Sequence, residues 1–268
     1  MTPAPRPPVA DLRERPDLRD PAASARLALA CLDLTSLNEG DTEADIARLC
    51  RRATGPCGPT AAVCVWPRLA AFARRELPAA VAVAAVANFP DGSADTARAV
   101  ADARTIVDAG AQEVDVVIPY RQLDAAPALL AAVRRACDGL LLKVILETGE
   151  LADAQQVARA CRIALEAGAD FLKTSTGKVR VNATLQAARA LLQAIAADPV
   201  TRPRVGFKPA GGIRTVADAQ TYLVLVREIL GDTALSPQRF RIGASGLLDD
   251  IEAVLTGRVA ADGRPAAY

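Results

Sequence analysis

Residues 155–178 read QQVARACRIALEAGADFLKTSTGK, and this stretch decides the fold class. It opens with a run of helical period that stops at Gly168, because glycine readily takes the left-handed conformation that ends a helix. A short apolar run follows at residues 170–174, and then a polar turn closing on Gly177-Lys178. Helix, strand and glycine turn thus succeed one another without a break.

The same unit recurs on both sides. Candidate strands lie at residues 29–34, 61–65, 81–87, 113–118, 140–146, 170–174, 204–208 and 240–243. The stretches between them are rich in Ala, Leu, Arg and Glu. Thr42-x-x-Asp45 and Thr215-x-x-Asp218 fit capping boxes at helix starts, and Gly110 closes a helix as Gly168 does. Strands separated by helices favour a parallel sheet. Eight of them in roughly 230 residues favour one closed (β/α)₈ barrel, a TIM barrel of the α/β class. No G-x-G-x-x-G or P-loop follows a strand, which lowers the nucleotide-binding alternatives.

No composition break marks a second domain. The first 21 residues hold six of the 18 prolines, mixed with charges. The expected organisation is an N-terminal arm at residues 1–24, a barrel domain at 25–256 and a flexible tail at 257–268.

Composition narrows the function. The 268 residues carry 32 Lys+Arg against 31 Asp+Glu, a net charge of +1, and 3% aromatics. Neither a nucleic-acid surface nor an anionic membrane is favoured by that balance. The longest apolar run, residues 79–87, is far short of a bilayer span, and the N-terminus has no apolar signal core. The six cysteines form no C-x-x-C pair and read as free thiols of a cytoplasmic protein. There is no histidine, so every Ser-His, Cys-His and His-ligated metal mechanism is excluded.

Charges recur where barrel strands should be dry. Asp33 lies in the first strand, Glu113 and Asp115 in the fourth, Lys143 and Glu147 on one face of the fifth, Lys173 in the sixth and Lys208 in the seventh. A buried ionic cluster is one reading of each. As a set they point to chemistry, because Lys173 and Lys208 fall near the C-terminal ends of adjacent strands, where barrel enzymes work. Two neighbouring ammonium groups disfavour each other, and burial acts in the same direction. A lysine so affected presents a neutral amine that can attack a carbonyl and form an imine, the electron sink that C–C cleavage needs. Asp115 could orient a water for the proton transfers.

Three segments suit an anion: Thr174-Ser-Thr-Gly177-Lys178, Ala210-Gly211-Gly212-Ile-Arg214 and Gly243-Ala-Ser245-Gly246. Glycines let backbone N–H groups approach a phosphate, and barrel phosphate sites use the loops after strands seven and eight. Tight turns alone would use the same glycines. Lys178 and Arg214 nearby favour phosphate.

From about residue 27 to 268 the chain resembles the class I deoxyribose-phosphate aldolases. The resemblance rests on seven motifs in family order: Asp33-Leu-Thr-Ser-Leu-Asn38, Asn88-Phe-Pro, Glu113-Val-Asp-Val-Val-Ile-Pro-Tyr120, Leu142-Lys-Val-Ile-Leu-Glu-Thr-Gly-Glu-Leu151, Gly168-Ala-Asp-Phe-Leu-Lys-Thr-Ser-Thr-Gly-Lys178, Gly206-Phe-Lys-Pro-Ala-Gly-Gly-Ile-Arg214 and Arg241-Ile-Gly-Ala-Ser245. It implies the same barrel and reversible cleavage of 2-deoxy-D-ribose 5-phosphate to acetaldehyde and D-glyceraldehyde 3-phosphate, with no metal or organic cofactor. It assigns Lys173 as the Schiff-base lysine, Lys208 as the neighbour that lowers its pKa, and Asp115 as the general acid/base. Gly177, Lys178, Gly211, Gly212, Gly243 and Ser245 match phosphate-binding positions; Asp33, Thr35 and Thr174 match polar positions around the substrate carbons. It also raises a proton-relay role for Tyr268 in the tail, which the sequence by itself reads as a chain end.

The chain departs from the family pattern where similar members carry a second serine after Gly-Ala-Ser. Gly246 stands there, which removes one hydroxyl donor and predicts weaker phosphate affinity. The stretch after Tyr120 looks shortened, which trims a loop without touching the chemistry. The expected partners are sugar phosphates and aldehydes, with a homodimer as the commonest assembly. Two competing readings share part of the pattern. A phosphate-binding barrel isomerase or synthase needs no lysine pair. A sugar-phosphate-binding protein that kept the fold would lack one of the three catalytic residues.

Overall fold

The computed structural model describes residues 16–257. Eight strands line its centre: β1 (Leu32–Thr35), β2 (Ala62–Val65), β3 (Ala82–Ala87), β4 (Glu113–Val117), β5 (Leu141–Ile145), β6 (Phe171–Lys173), β7 (Gly206–Lys208) and β8 (Ile242–Ala244). Helix α1 (Pro21–Ala30) precedes them. The helices α2 (Glu43–Ala53), α3 (Pro67–Glu76), α4 (Thr96–Asp108), α5 (Ala126–Ala136), α6 (Ala154–Glu166), α7 (Leu185–Ala197), α8 (Val216–Leu230) and α9 (Leu247–Thr256) follow β1 to β8 in turn.

The sheet is parallel throughout and runs β7-β6-β5-β4-β3-β2-β1-β8. Bridges Phe207↔Phe240 and Ala210↔Gly243 bring β7 to β8 and nearly close it into a barrel. The eight-strand TIM barrel expected from the alternation is the fold observed.

Local signals work as the sequence predicts. Thr42 and Thr215 each accept from the backbone N–H three residues on, and Asp45 and Asp218 reciprocate. Gly110 and Gly168 sit at φ 71° and 80° just past α4 and α6. There Ala111 N donates to Ile106 O and Ala169 N to Ala164 O, the Schellman pattern that satisfies carbonyls of the last turn.

The chain's beginning differs from expectation. The boundary read between residues 24 and 25 falls inside α1, and β1 starts at Leu32, not residue 29. Asp20 caps α1 by accepting from Ala22 N and Ala23 N, and Pro21 takes the first turn, where its missing N–H is harmless. Leu18 is buried, and α8 holds the preceding backbone, since Arg227 donates to Pro16 O and Gln220 to Leu18 O. No helix among the described residues is long and apolar enough to cross a membrane.

Register places the site. Lys173 pairs with Lys208 across β6 and β7, Asp115 with Lys143 across β4 and β5, and Asp33 with Gly243 across β1 and β8. Alternation then turns Phe171 and Lys173 to one face, with Gly206 and Lys208 beside them. A Cβ on Gly206 would stand 2.4 Å from the Phe171 ring, so glycine is what lets that ring fill the barrel.

Candidate active site

Seven charged side chains meet inside the barrel, each at most 3% exposed. Lys173 Nζ donates to Asp115 Oδ2 at 2.8 Å, and Lys208 Nζ donates to the same oxygen at 2.8 Å. Lys143 Nζ takes the other oxygen of Asp115 at 2.7 Å and Glu113 Oε2 at 2.6 Å. Lys208 also donates to Asp33 Oδ2. Arg241 Nη1 reaches Asp33 Oδ1 at 2.6 Å, and its Nη2 reaches Glu113 Oε1 at 2.7 Å. Arg241 lies on the β8 side and Glu113 on β4, so this contact crosses the barrel.

The two lysines of the register pair are electrostatically unlike. For Lys173, burial and the Lys208 charge lower the pKa, and the Asp115 carboxylate opposes them. For Lys208, burial acts downward too, but Asp115 and Asp33 together outweigh it and raise the pKa. Burial pushes the Asp115 carboxyl up; Lys143, Lys173 and Lys208 more than reverse this and hold it well below the usual carboxylate range. The result is an amine inclined to neutrality beside a carboxylate that stays ionised, a nucleophile next to a proton acceptor.

Cys64 on β2 faces the same cluster. It is fully buried, and burial raises its thiol pKa, which leaves it a small apolar wall of the barrel.

The three glycine-bearing segments adjoin at the C-terminal end of the strands. Thr174 Oγ1 accepts from Ala210 N at 3.1 Å, and Gly211 N donates to Gly243 O at 3.4 Å. Gly177, Gly211 and Gly212 have φ of 86°, 83° and 85°. Gly211 is also crowded: a Cβ there would lie 2.7 Å from Asn182. Gly243 makes room for Lys208, whose Cε would be 3.1 Å from an added Cβ. Lys178 is exposed and Ser245 half-buried beside these turns.

Two polar positions are engaged locally. Thr35 Oγ1 donates to Asp33 O on its own strand, and Thr174 Oγ1 ties two loops together. Tyr268 and the tail from residue 258 onward lie outside the described residues. Among those residues no group of His, Cys, Asp or Glu side chains could hold a metal ion.

Sequence reasoning left four charged residues without a role. Arg241 was visible as a charge inside the eighth candidate strand, two residues before Gly243 and therefore on its face. Glu113 and Lys143 were visible as strand charges, but their pairing between neighbouring strands β4 and β5, and the reach of Glu113 across the barrel to Arg241, were not. Glu147, just past β5, is buried with φ 52° and accepts from Thr176 Oγ1 at 2.5 Å.

Comparison with known proteins identifies the family. Residues 27–248 match the profile of the DeoC/LacD family aldolases. A deoxyribose-phosphate aldolase of Agrobacterium fabrum is 49% identical over 249 residues, which span 90% of this chain and 95% of that protein. A crystal structure of a Toxoplasma gondii protein provisionally named deoxyribose-phosphate aldolase superposes with a TM-score of 0.83 at 25% identity, covering 91% of this chain and 98% of that one. A deoxyribose phosphate aldolase from Aeropyrum pernix, itself tetrameric, superposes at 0.68 with 25% identity, covering 89% and 98%.

Proposed function

The chain belongs to the DeoC/LacD family of aldolases, and from that premise we propose that it is a deoxyribose-phosphate aldolase working through an imine on Lys173. One observation carries the mechanistic reading: Lys173 and Lys208 share Asp115 Oδ2, and only Lys208 has a second carboxylate.

In the cleavage direction the neutral Lys173 amine attacks C1 of open-chain 2-deoxy-D-ribose 5-phosphate, and loss of water gives the protonated imine. A water held by Asp115 takes the proton of the C3 hydroxyl. The C2–C3 bond breaks, its electron pair flows to the imine as an enamine, and D-glyceraldehyde 3-phosphate leaves. Protonation at C2 and hydrolysis release acetaldehyde and regenerate the amine. Lys208, kept protonated by Asp33 and Asp115, supplies a fixed positive charge beside Lys173 throughout. The turns holding Gly177, Gly211, Gly212 and Gly243, with Lys178 and Ser245, are suited to the 5-phosphate.

Two further features belong to the same proposal. The six cysteines are all free thiols, which suits a reducing cytoplasm. The tetrameric Aeropyrum relative supports a homo-oligomer, with a dimer as its smallest unit.

Borohydride trapping with acetaldehyde at neutral pH, followed by peptide mass spectrometry, tests the mechanism. One reduced adduct on Lys173 is expected, absent in Lys173→Leu. Adducts scattered over surface lysines, or none, would return the chain to the isomerase or binding-protein readings.

A further inference from the structure

The ionic cluster holds more cations than carboxylates. Linked by contacts of 3.6 Å or less, it comprises Asp33, Glu113 and Asp115 against Lys143, Lys173, Lys208 and Arg241. Fully ionised, it would leave one uncompensated positive charge in a dry interior, which is strongly unfavourable. Arginine does not give up its proton, so the relief must come from a lysine.

The contacts select which one. Lys143 has Glu113 and Asp115 within hydrogen-bond distance, and Asp33 at 3.6 Å. Lys208 has Asp33 and Asp115. Arg241 has Asp33 and Glu113, and its guanidinium stacks 5.8 Å from the centre of the Phe171 ring. Lys173 has Asp115 alone, and shares that oxygen. It is the least compensated of the four.

We propose that Arg241 and Glu113 are positioning residues that set the protonation state of Lys173 from the base of the cluster. Arg241 is the permanent cation that occupies Asp33 and Glu113 and thereby leaves Lys173 as the surplus charge. Glu113 is the carboxylate that limits the surplus to one. This inference rests on reading Lys173 as the imine-forming amine, and it assigns a role to two side chains that the reaction itself does not touch.

The remaining surroundings of Lys173 do not alter the balance. Cys64 on β2 is a buried thiol whose pKa is raised by burial. Strand β3 reads Ala-Val-Ala-Ala-Val-Ala and carries no titratable side chain. Glu147 beyond β5 makes no ion pair among the described residues and is hydrogen-bonded to Thr176; it feels the Lys173 charge, but burial outweighs that charge and pushes the carboxyl towards its neutral form. The directions at the cations agree with the assignment, since Lys173 is lowered while Lys143, Lys208 and Arg241 are raised.

The test is the acid limb of kcat/KM, read together with the pH dependence of cyanoborohydride trapping of acetaldehyde on Lys173. Removing a cation favours protonation of Lys173, so Arg241→Gln moves the limb to higher pH. Removing a carboxylate does the reverse, so Glu113→Gln moves it to lower pH. Each shift is about one pH unit, the order expected for a single charge within a buried cluster. The double variant restores the balance and returns within about half a unit of the parent. Arg241→Lys and Glu113→Asp conserve charge and leave the limb in place.

A merely structural role would lower turnover without opposed shifts. Limbs that do not move, or that move the same way in both single variants, would overturn the proposal. Should Arg241→Gln fail to fold, Lys143→Met removes a cation from a different strand and must give the upward shift; its absence is equally decisive. If trapping in the parent falls on another lysine, the functional reading fails. If it falls on Lys173 and the limbs stay put, only this inference fails.

Discussion

Lys173 and Lys208 stand in register on adjacent strands and donate to one oxygen, Asp115 Oδ2, each at 2.8 Å. The geometry looks symmetrical, yet the two amines differ because Asp33 reaches Lys208 and not Lys173. One carboxylate placed on β1 therefore decides which of two identical groups stays charged.

That asymmetry makes Lys208→Met a sharp probe. It removes the like charge and leaves Asp115 Oδ2 to Lys173, and both changes favour the protonated amine. The acid limb of kcat/KM should rise by about one to two units, so activity measured on that limb falls by up to about 10- to 100-fold. Imine trapping on Lys173 should recover as the pH is raised.

The cluster also predicts how stability depends on pH. In the fold, the surrounding Lys and Arg charges outweigh burial and hold Asp33, Glu113 and Asp115 below their ordinary values. Such groups contribute stability that is complete above the unfolded carboxylate range, about pH 4 to 4.5, and is lost as pH falls through the lowered folded values. Glu147, raised by burial, acts in the opposite sense, but it is one group against three. Thermal midpoints should therefore change little on this account between about pH 7 and 5 and fall steeply below about pH 4. A steep fall already between about pH 7 and 6 would show that other groups dominate.

Glu147 should act on phosphate binding and not on the imine. It accepts from Thr176 Oγ1, which in turn accepts from Lys178 N at 3.0 Å, so the carboxyl anchors the turn after β6. Glu147→Ala should raise KM for 2-deoxyribose 5-phosphate about tenfold with kcat little changed. Turnover of unphosphorylated 2-deoxyribose should be unaffected. Glu147→Gln, whose amide oxygen can still accept, should retain most of the parent's affinity.

Gly246 offers a gain of function. It begins α9 with φ −91° and no side-chain cap, and an added Cβ would meet nothing within 4 Å. Gly246→Ser fits this backbone and adds a hydroxyl beside Ser245. KM for the phosphorylated substrate should fall several-fold, roughly the worth of one hydrogen bond to a charged group. Steady-state kinetics on phosphorylated and unphosphorylated sugars would show whether the gain is confined to the phosphate.

Much of the site was legible because its signals are local. Asp33, Asp115, Lys173 and Lys208 stood out as charges within apolar strands. The limits were local as well. Residues 29–31 read as strand from their apolar run, but Leu29 and Ala30 form the last turn of α1, which starts at the Asp20 cap, and Cys31 closes it by donating to Leu27 O and Ala28 O. Thr35 and Thr174 matched substrate positions by motif, and in the fold their hydroxyls serve the backbone of Asp33 and Ala210. Arg241 lay in plain sight, but nothing near it in sequence announced its partners.

The sequence by itself determined the barrel and the position of its chemistry. Helix caps, glycine stops and apolar periods act over a few residues, and eight repeats of one unit leave the chain few other ways to bury its strands. Only the tertiary structure decided which lysine carries the surplus charge. That choice depends on contacts such as Arg241 with Asp33, 208 residues apart, and an electrostatic balance exists only once closure of the barrel has brought all seven groups together away from water.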